Sequence, residues 1–220
     1  MPGLTRFALL IAMLSGSACG STSAGGAVPP SPAEREAPVV MFVGDSFTVG
    51  SGPVPRRQSY ASQTARLLGG RPVIAGASGT GFCNEGRAGR TFERSFEVEL
   101  AGRPAPALLV VSGGHNDRRC GATQVREAAV RLLARVRTHW PDTRTVVVGP
   151  IFMGRTPRKA YAVRDALAQA AEAAGVSFLD PLGERWPPGA TLPDGVHPTL
   201  AGHESIAAWL AGELGGLTLR

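Results

Sequence analysis

Short runs of apolar residues alternate along this chain with longer stretches in which apolar positions recur every three or four residues. The first run, Val39, Val40, Met41, Phe42 and Val43, closes on Gly44, Asp45 and Ser46. Consecutive apolar residues stopped by a glycine read as a strand buried on both faces, with the residues that follow delivered to the surface. Further strands are expected over residues 72–77, 107–112, 145–149 and 176–180. The segment ALLVVS at 107–112 is too apolar for a half-exposed strand and suits a parallel sheet covered on both sides. Helical patterns lie between. Ser59 opens one that runs to Leu68 and stops at Gly69 and Gly70. Thr123 opens a longer one to about Trp140, with Val125, Ala129, Leu132, Leu133 and Val136 at helical spacing. Thr156 and Pro157 open a third that ends near Ala174 and Gly175, and Thr199 caps a last one carrying Ile206, Ala207, Trp209 and Leu210. Five strands alternating with helices, with no internal repeat, predict one α/β domain on a doubly wound parallel sheet with its ligand loops after the strands.

The beginning of the chain has a different character. Arg6 precedes the apolar stretch Phe7 to Leu14, and the small residues SGSAC follow, which is the order of a secretory signal. Eight apolar residues are too few to span a bilayer. The segment ending at Cys19 resembles the lipobox of bacterial lipoproteins, in which the cysteine is lipidated, although Gly16 stands where that pattern usually has leucine. Gly16 and Ala18 also satisfy a site for ordinary signal cleavage, so a lipid anchor is the preferred reading and free secretion the alternative. Residues 1–18 are thus expected to be a signal peptide, residues 19–38 a flexible tether rich in Gly, Ser, Ala and Pro, and residues 39–220 the folded domain.

Composition excludes some partners. The formal net charge is +6, and because Lys159 is the only lysine, nearly all the positive charge is arginine scattered along the chain. No aromatic RNA-binding motif, helix-turn-helix signature or zinc-finger spacing accompanies it, so no nucleic-acid partner is expected. With Cys19 assigned to the signal, Cys83 and Cys120 remain, and two cysteines without metal-ligand companions in an exported protein read as a disulfide.

Candidate chemistry gathers at the strand ends. Ser46 follows the first strand. Asp194 and His197 lie three residues apart in DGVHP, a span that lets a carboxylate reach the imidazole Nδ1-H while Nε2 faces a nucleophile. Asn116, in SGGHND after the third strand, carries an amide able to donate to an oxyanion, and Gly79, in GASGTG after the second, has a backbone N–H no side chain shields. Gly79 is preferred to Gly81 because it directly follows Ser78. There is no GxSxG.

Ser46 in GDS, Gly79, Asn116 and Asp194-x-x-His197 resemble, in order and spacing, the four blocks of the SGNH hydrolases, also called the GDSL esterases and lipases. The resemblance covers roughly residues 39–214, with GDSF in place of GDSL and His115 inserted before Asn116. It implies a flavodoxin-like, three-layer α/β/α fold and ester hydrolysis through an acyl-serine, without a metal or organic cofactor. Catalytic Ser46, His197 and Asp194 and an oxyanion hole of Ser46, Gly79 and Asn116 are its implied site. The substrate would be an ester of a small molecule, lipid or acylated glycan. An acyltransferase on envelope glycans with the same site is the near alternative, and a binding module without catalysis a distant one. Cys83 and Cys120 lie four residues after Gly79 and Asn116, so a bond between them would tie the two oxyanion loops together.

The remaining histidines and the loop arginines are expected to be bland. His139 belongs to the last turn of a helix, His203 is expected to be exposed on the last helix, and His115 is not assigned to the pocket. Phe152 and Met153 are expected to pack, and Arg118, Arg119 and Arg155 to be surface arginines.

Overall fold

The computed structural model describes residues 37–215. The expected signal peptide, Cys19 and nearly all of the tether lie outside the described residues.

Five strands form one sheet: β1 (Val39–Gly44), β2 (Arg71–Gly76), β3 (Leu108–Ser112), β4 (Arg144–Val148) and β5 (Ser177–Leu179). Every pairing is parallel and the order is β2-β1-β3-β4-β5, the flavodoxin-like arrangement expected of a doubly wound sheet. The helices are α1 (Ser46–Val49), α2 (Tyr60–Leu67), α3 (Phe92–Glu99), α4 (Ala122–His139), α5 (Arg158–Ala174) and α6 (Leu200–Leu214).

Alternation along the central strands divides the core in two. Met41, Val43, Leu109, Val111 and Val147 point to one face, where Phe92 and Phe96 of α3, Leu132 and Leu133 of α4 and Val163 and Leu167 of α5 cover them. Val40, Phe42, Leu108, Val110, Val146 and Val148 point to the other, under Tyr60 and Ala61 of α2 and Ile206, Ala207 and Leu210 of α6. Burial on both faces explains why these strands read as unbroken apolar runs.

Two elements depart from the sequence reading. Helix α3 was not expected: Thr91 accepts the Arg94 N–H as its cap, and Phe92, Phe96 and Leu100 follow one another at four-residue steps into the core. Helix α4 begins ahead of Thr123, because the Gln124 side chain accepts the Gly121 N–H at 2.9 Å and closes the first turn there. Ser59 and Thr199 cap α2 and α6 as their positions predict, accepting from Ser62 N and Gly202 N.

Candidate active site

Three strands end at one level. Gly44 of β1 is in register with Gly76 of β2 on one side and Ser112 of β3 on the other, so the segments after them leave the sheet side by side. The strand order reverses at β1, and such a switch point opens a crevice at the carboxyl edge.

Asp45 turns the chain there. Its Oδ1 accepts the Phe47 N–H at 3.0 Å, which starts the single turn α1 and sets Ser46 at its first position. Across the crevice, His197 Nε2 stands 2.9 Å from Ser46 Oγ, and His197 Nδ1 stands 2.6 Å from Asp194 Oδ2. Asp194 Oδ1 also accepts the backbone N–H groups of Val196 and His197, each at 2.9 Å. The bond from the His197 ring, and after it the two backbone bonds, hold the Asp194 carboxyl down at about 2. An ionised Asp194 needs a hydrogen on Nδ1, which leaves the Nε2 lone pair to accept from the Ser46 hydroxyl. The loop is braced from below: Leu192 N–H donates to His197 O, Thr199 N–H to Ala190 O, and the Phe47 ring packs 5.7 Å from that of His197.

The oxyanion candidates lie on the neighbouring loops. Gly79 has φ +77, a conformation an L side chain rarely adopts, and among the described residues neither its N–H nor that of Ser46 has a protein acceptor. The Gly81 N–H is already used, donating to Asn84 O at 2.7 Å. Asn116 Nδ2 donates to Thr80 O at 2.9 Å and faces Asp45 Oδ2 at 3.3 Å.

The residue after it, Asp117, was not singled out by the sequence. It is buried, and its carboxylate accepts the N–H groups of Phe82, Cys83 and Asn84 at 2.9–3.1 Å. Burial pushes its pKa up against those bonds. A Cβ at Gly81 would collide with that carboxylate, so glycine there is required by close approach. The disulfide Cys83–Cys120 joins the same two loops covalently. Cys83, Asp117 and Cys120 form a grouping of metal-ligand residue types, but the sulfurs are bonded to each other and the carboxylate is filled by backbone donors. The set is a loop clamp.

Residues 42–205 match the model of the GDSL-like lipase/acylhydrolase family. The chain belongs to this family. A GDSL lipase of Mycobacterium tuberculosis is 31% identical over an alignment of 188 residues that covers 78% of this chain and 79% of that protein. Solved structures agree in fold at lower identity. A family two carbohydrate esterase from Clostridium thermocellum superposes with a TM-score of 0.72 at 21% identity, over 85% of this chain and 65% of the other. The aryl esterase of M. smegmatis gives 0.67 at 19%, over 83% of this chain and all of the other. Est24, a carbohydrate acetylesterase from Sinorhizobium meliloti, gives 0.69 at 18%, over 82% of this chain and all of the other. As a member of the GDSL family, the protein is a carboxylic ester hydrolase.

Two histidines of this GDSL-family chain are placed otherwise than expected. His203 is fully buried rather than exposed, because α2 covers that face of α6. Its Nδ1 accepts the Tyr60 N–H at 3.0 Å, its Nε2 has no partner among the described residues, and burial lowers its pKa to about 4. His115 is buried as well, its ring 5.5 Å from Phe47 and stacked 4.4 Å from Phe152. Its Nδ1 bonds Ile151 O at 3.2 Å, and burial brings it to about 4, so it is neutral and donates from Nδ1. Arg118 is a partly buried anchor and not a loose surface arginine: its Nε donates to His115 O at 2.7 Å and its Nη2 to His115 Nε2 at 3.3 Å. Arg119 and Arg155 are exposed and Phe152 is packed, as the sequence indicates. Beneath α1, Tyr60 Oη donates to Ser112 Oγ at 2.6 Å and lies 2.9 Å from Thr48 Oγ1, fixing the serine turn to the end of β3.

Proposed function

We propose that the protein is an exported serine esterase acting through an acyl-Ser46 intermediate. The observation that carries this reading is the line of short hydrogen bonds from Ser46 Oγ through His197 to Asp194. In the first half-reaction His197 Nε2 takes the Ser46 proton as Oγ bonds to the ester carbonyl carbon. The imidazolium is held by Asp194, then gives that proton to the departing alkoxide, and the alcohol leaves. In the second half, His197 takes a proton from water, hydroxide attacks the acyl carbon, and the returning proton restores Ser46. The oxyanion of each tetrahedral intermediate takes hydrogen bonds from the Ser46 and Gly79 N–H groups and from Asn116 Nδ2. One Asn116 Nδ2 hydrogen is held by Thr80 O, and the other reaches the oxyanion by giving up its longer contact with Asp45 Oδ2 as the whole planar amide swings.

The reading extends to short acyl groups. The names of the similar carbohydrate esterases and acetylesterase favour an acetylated sugar or a comparable short-chain ester. In this reading residues 1–18 export the domain and Cys19 anchors it, which incorporation of labelled palmitate that Cys19→Ser abolishes would support and equal labelling of the variant would refute. The test of function is a panel of p-nitrophenyl esters of increasing acyl length on wild type and Ser46→Ala. Turnover highest for acetate and absent from the variant is expected; ordinary turnover by Ser46→Ala contradicts the mechanism.

A further inference from the structure

Against the turn Asn116–Arg119 and the residues that follow it lies a cavity of about 330 Å³ whose charged lining is all positive: Arg118, Arg119 and Lys159, with Cys120, Ala162 and Val163 among its other walls. Among the described residues none of the three cations has a carboxylate within 4.0 Å. Arg164 close by shows the contrast, since it is paired with both Asp165 and Asp180. Like charges gathered without a counter-charge repel one another, and an arrangement of this kind is complementary to an anion.

Arg118 is fixed in advance. Two of its N–H groups are spent on His115, and its guanidinium carbon lies 5.4 Å from the centre of the Phe152 ring. The side chain therefore loses little freedom on taking a ligand, and Arg118 is among the residues that line the cavity. The wall is held too, because Cys120 is bonded to Cys83.

The cavity is also tied to the reacting centre. Arg118 shares one turn, Asn116–Arg119, with the oxyanion candidate, and the His115 ring that anchors Arg118 packs on Phe47, the neighbour of Ser46.

We propose that this cavity is a subsite for a negatively charged group, a carboxylate or a phosphate, carried by the ester whose carbonyl is placed at Ser46. The proposal rests on the esterase reading above. The enzyme would then prefer anionic esters, with Arg118 the fixed contact and Arg119 and Lys159 the supporting field.

The experiment compares phenyl acetate with two charged relatives, para-carboxyphenyl acetate, with the carboxylate on the leaving group, and phenyl hydrogen succinate, with it on the acyl side. The readout is the ratio of kcat/KM for each charged ester to that for phenyl acetate, in wild type, Arg118→Gln and the double variant Arg119→Gln/Lys159→Gln. Intrinsic reactivity differences cancel between proteins, and so does a general loss of activity. For at least one charged ester the wild-type ratio is expected to exceed those of both variants, by roughly tenfold or more for Arg118→Gln, the scale of a lost hydrogen bond to a charged group. Raising salt from about 0.05 M to about 0.5 M should lower the wild-type ratio. Which ester responds assigns the anion to the acyl or the alcohol half. Ratios untouched by both substitutions and by salt overturn the subsite while leaving the esterase intact. A wild type inert toward all three esters removes the esterase function and the subsite with it.

Discussion

At the scale of single residues, the site depends on which carboxylates are charged and what they face. Asp194 is held at about 2, below its ordinary 3.8, so the orienting bond to His197 is fully present above about pH 4 and is lost only as pH falls through about 2. Any acid limb of kcat/KM above pH 4 must therefore come from another group. Asp194→Asn, which favours the wrong imidazole tautomer, should lower kcat by roughly 10²–10⁴-fold without unfolding the chain, as steady-state kinetics beside a thermal melt would reveal. Asn116→Ala should lower kcat by about 10²–10³-fold, the scale of one lost oxyanion donor. Asp45→Asn tests how Asn116 is set: the new amide still accepts from Phe47 N but turns an N–H toward Asn116 Nδ2, so kcat should fall, and unchanged kcat would mean that Asp45 does not position Asn116. Ser46, Asp194 and His197 are legible in the sequence because each sits in a short motif whose spacing carries its geometry. Asp45 as a partner of Asn116, and Asp117 as a clamp on Phe82 to Asn84, are not. Their partners lie more than thirty residues away, and no local pattern records a through-space contact.

At the scale of elements, the loops after β2 and β3 are the part of the site that no strand or long helix holds. They are held instead by the Asp117 carboxylate and by the Cys83–Cys120 bond, which spans a separation of 37 residues. The chain-entropy view of such a crosslink gives about 4 kcal/mol, an upper figure where the native loops resist it. Cys83→Ser/Cys120→Ser should lower the urea midpoint and also reduce kcat, because Gly79 and Asn116 lose a common anchor. A variant with a wild-type midpoint would show that Asp117 alone suffices. The central strands β1, β3 and β4 were readable because both faces of the sheet are covered there, which leaves unbroken hydrophobic runs, whereas the edge strands β2 and β5 are only partly buried. Helix α3 escaped because it is eight residues long, with Phe92 and Phe96 interleaved with three glutamates and an arginine. The start of α4 moved because a side chain, Gln124, closes its first turn where a Thr123 cap was expected.

At the scale of the whole molecule, stability against pH is set by buried groups pulling in opposite directions. His115 and His203 stand at about 4 in the fold against an ordinary 6.5. Each is neutral in the fold while the unfolded chain takes up a proton, so each costs stability as pH falls from about 6.5 toward 4, by up to about 1.4 kcal/mol per pH unit. Asp45, raised by burial from 3.8 to about 7, acts the other way: the fold holds its proton more tightly, so stability is gained as pH falls from about 7 toward 3.8. The wild-type curve mixes these contributions, and a variant separates them. His203→Gln keeps an acceptor for Tyr60 N but has no titration, so in urea unfolding its stability relative to wild type should rise between pH 6.5 and pH 5; a difference that does not change with pH would mean His203 is not buried neutral. The fold class was legible from the alternation of strands and helices, whereas the burial of His203 was not, since it depends on α2 lying across α6. The central claim concerns Ser46 itself, and mass spectrometry tests it most directly. After reaction with a fluorophosphonate, the protein should carry one adduct on the peptide containing Ser46, absent from Ser46→Ala and suppressed in His197→Ala. An adduct on another residue, or equal labelling of Ser46→Ala, would contradict the account.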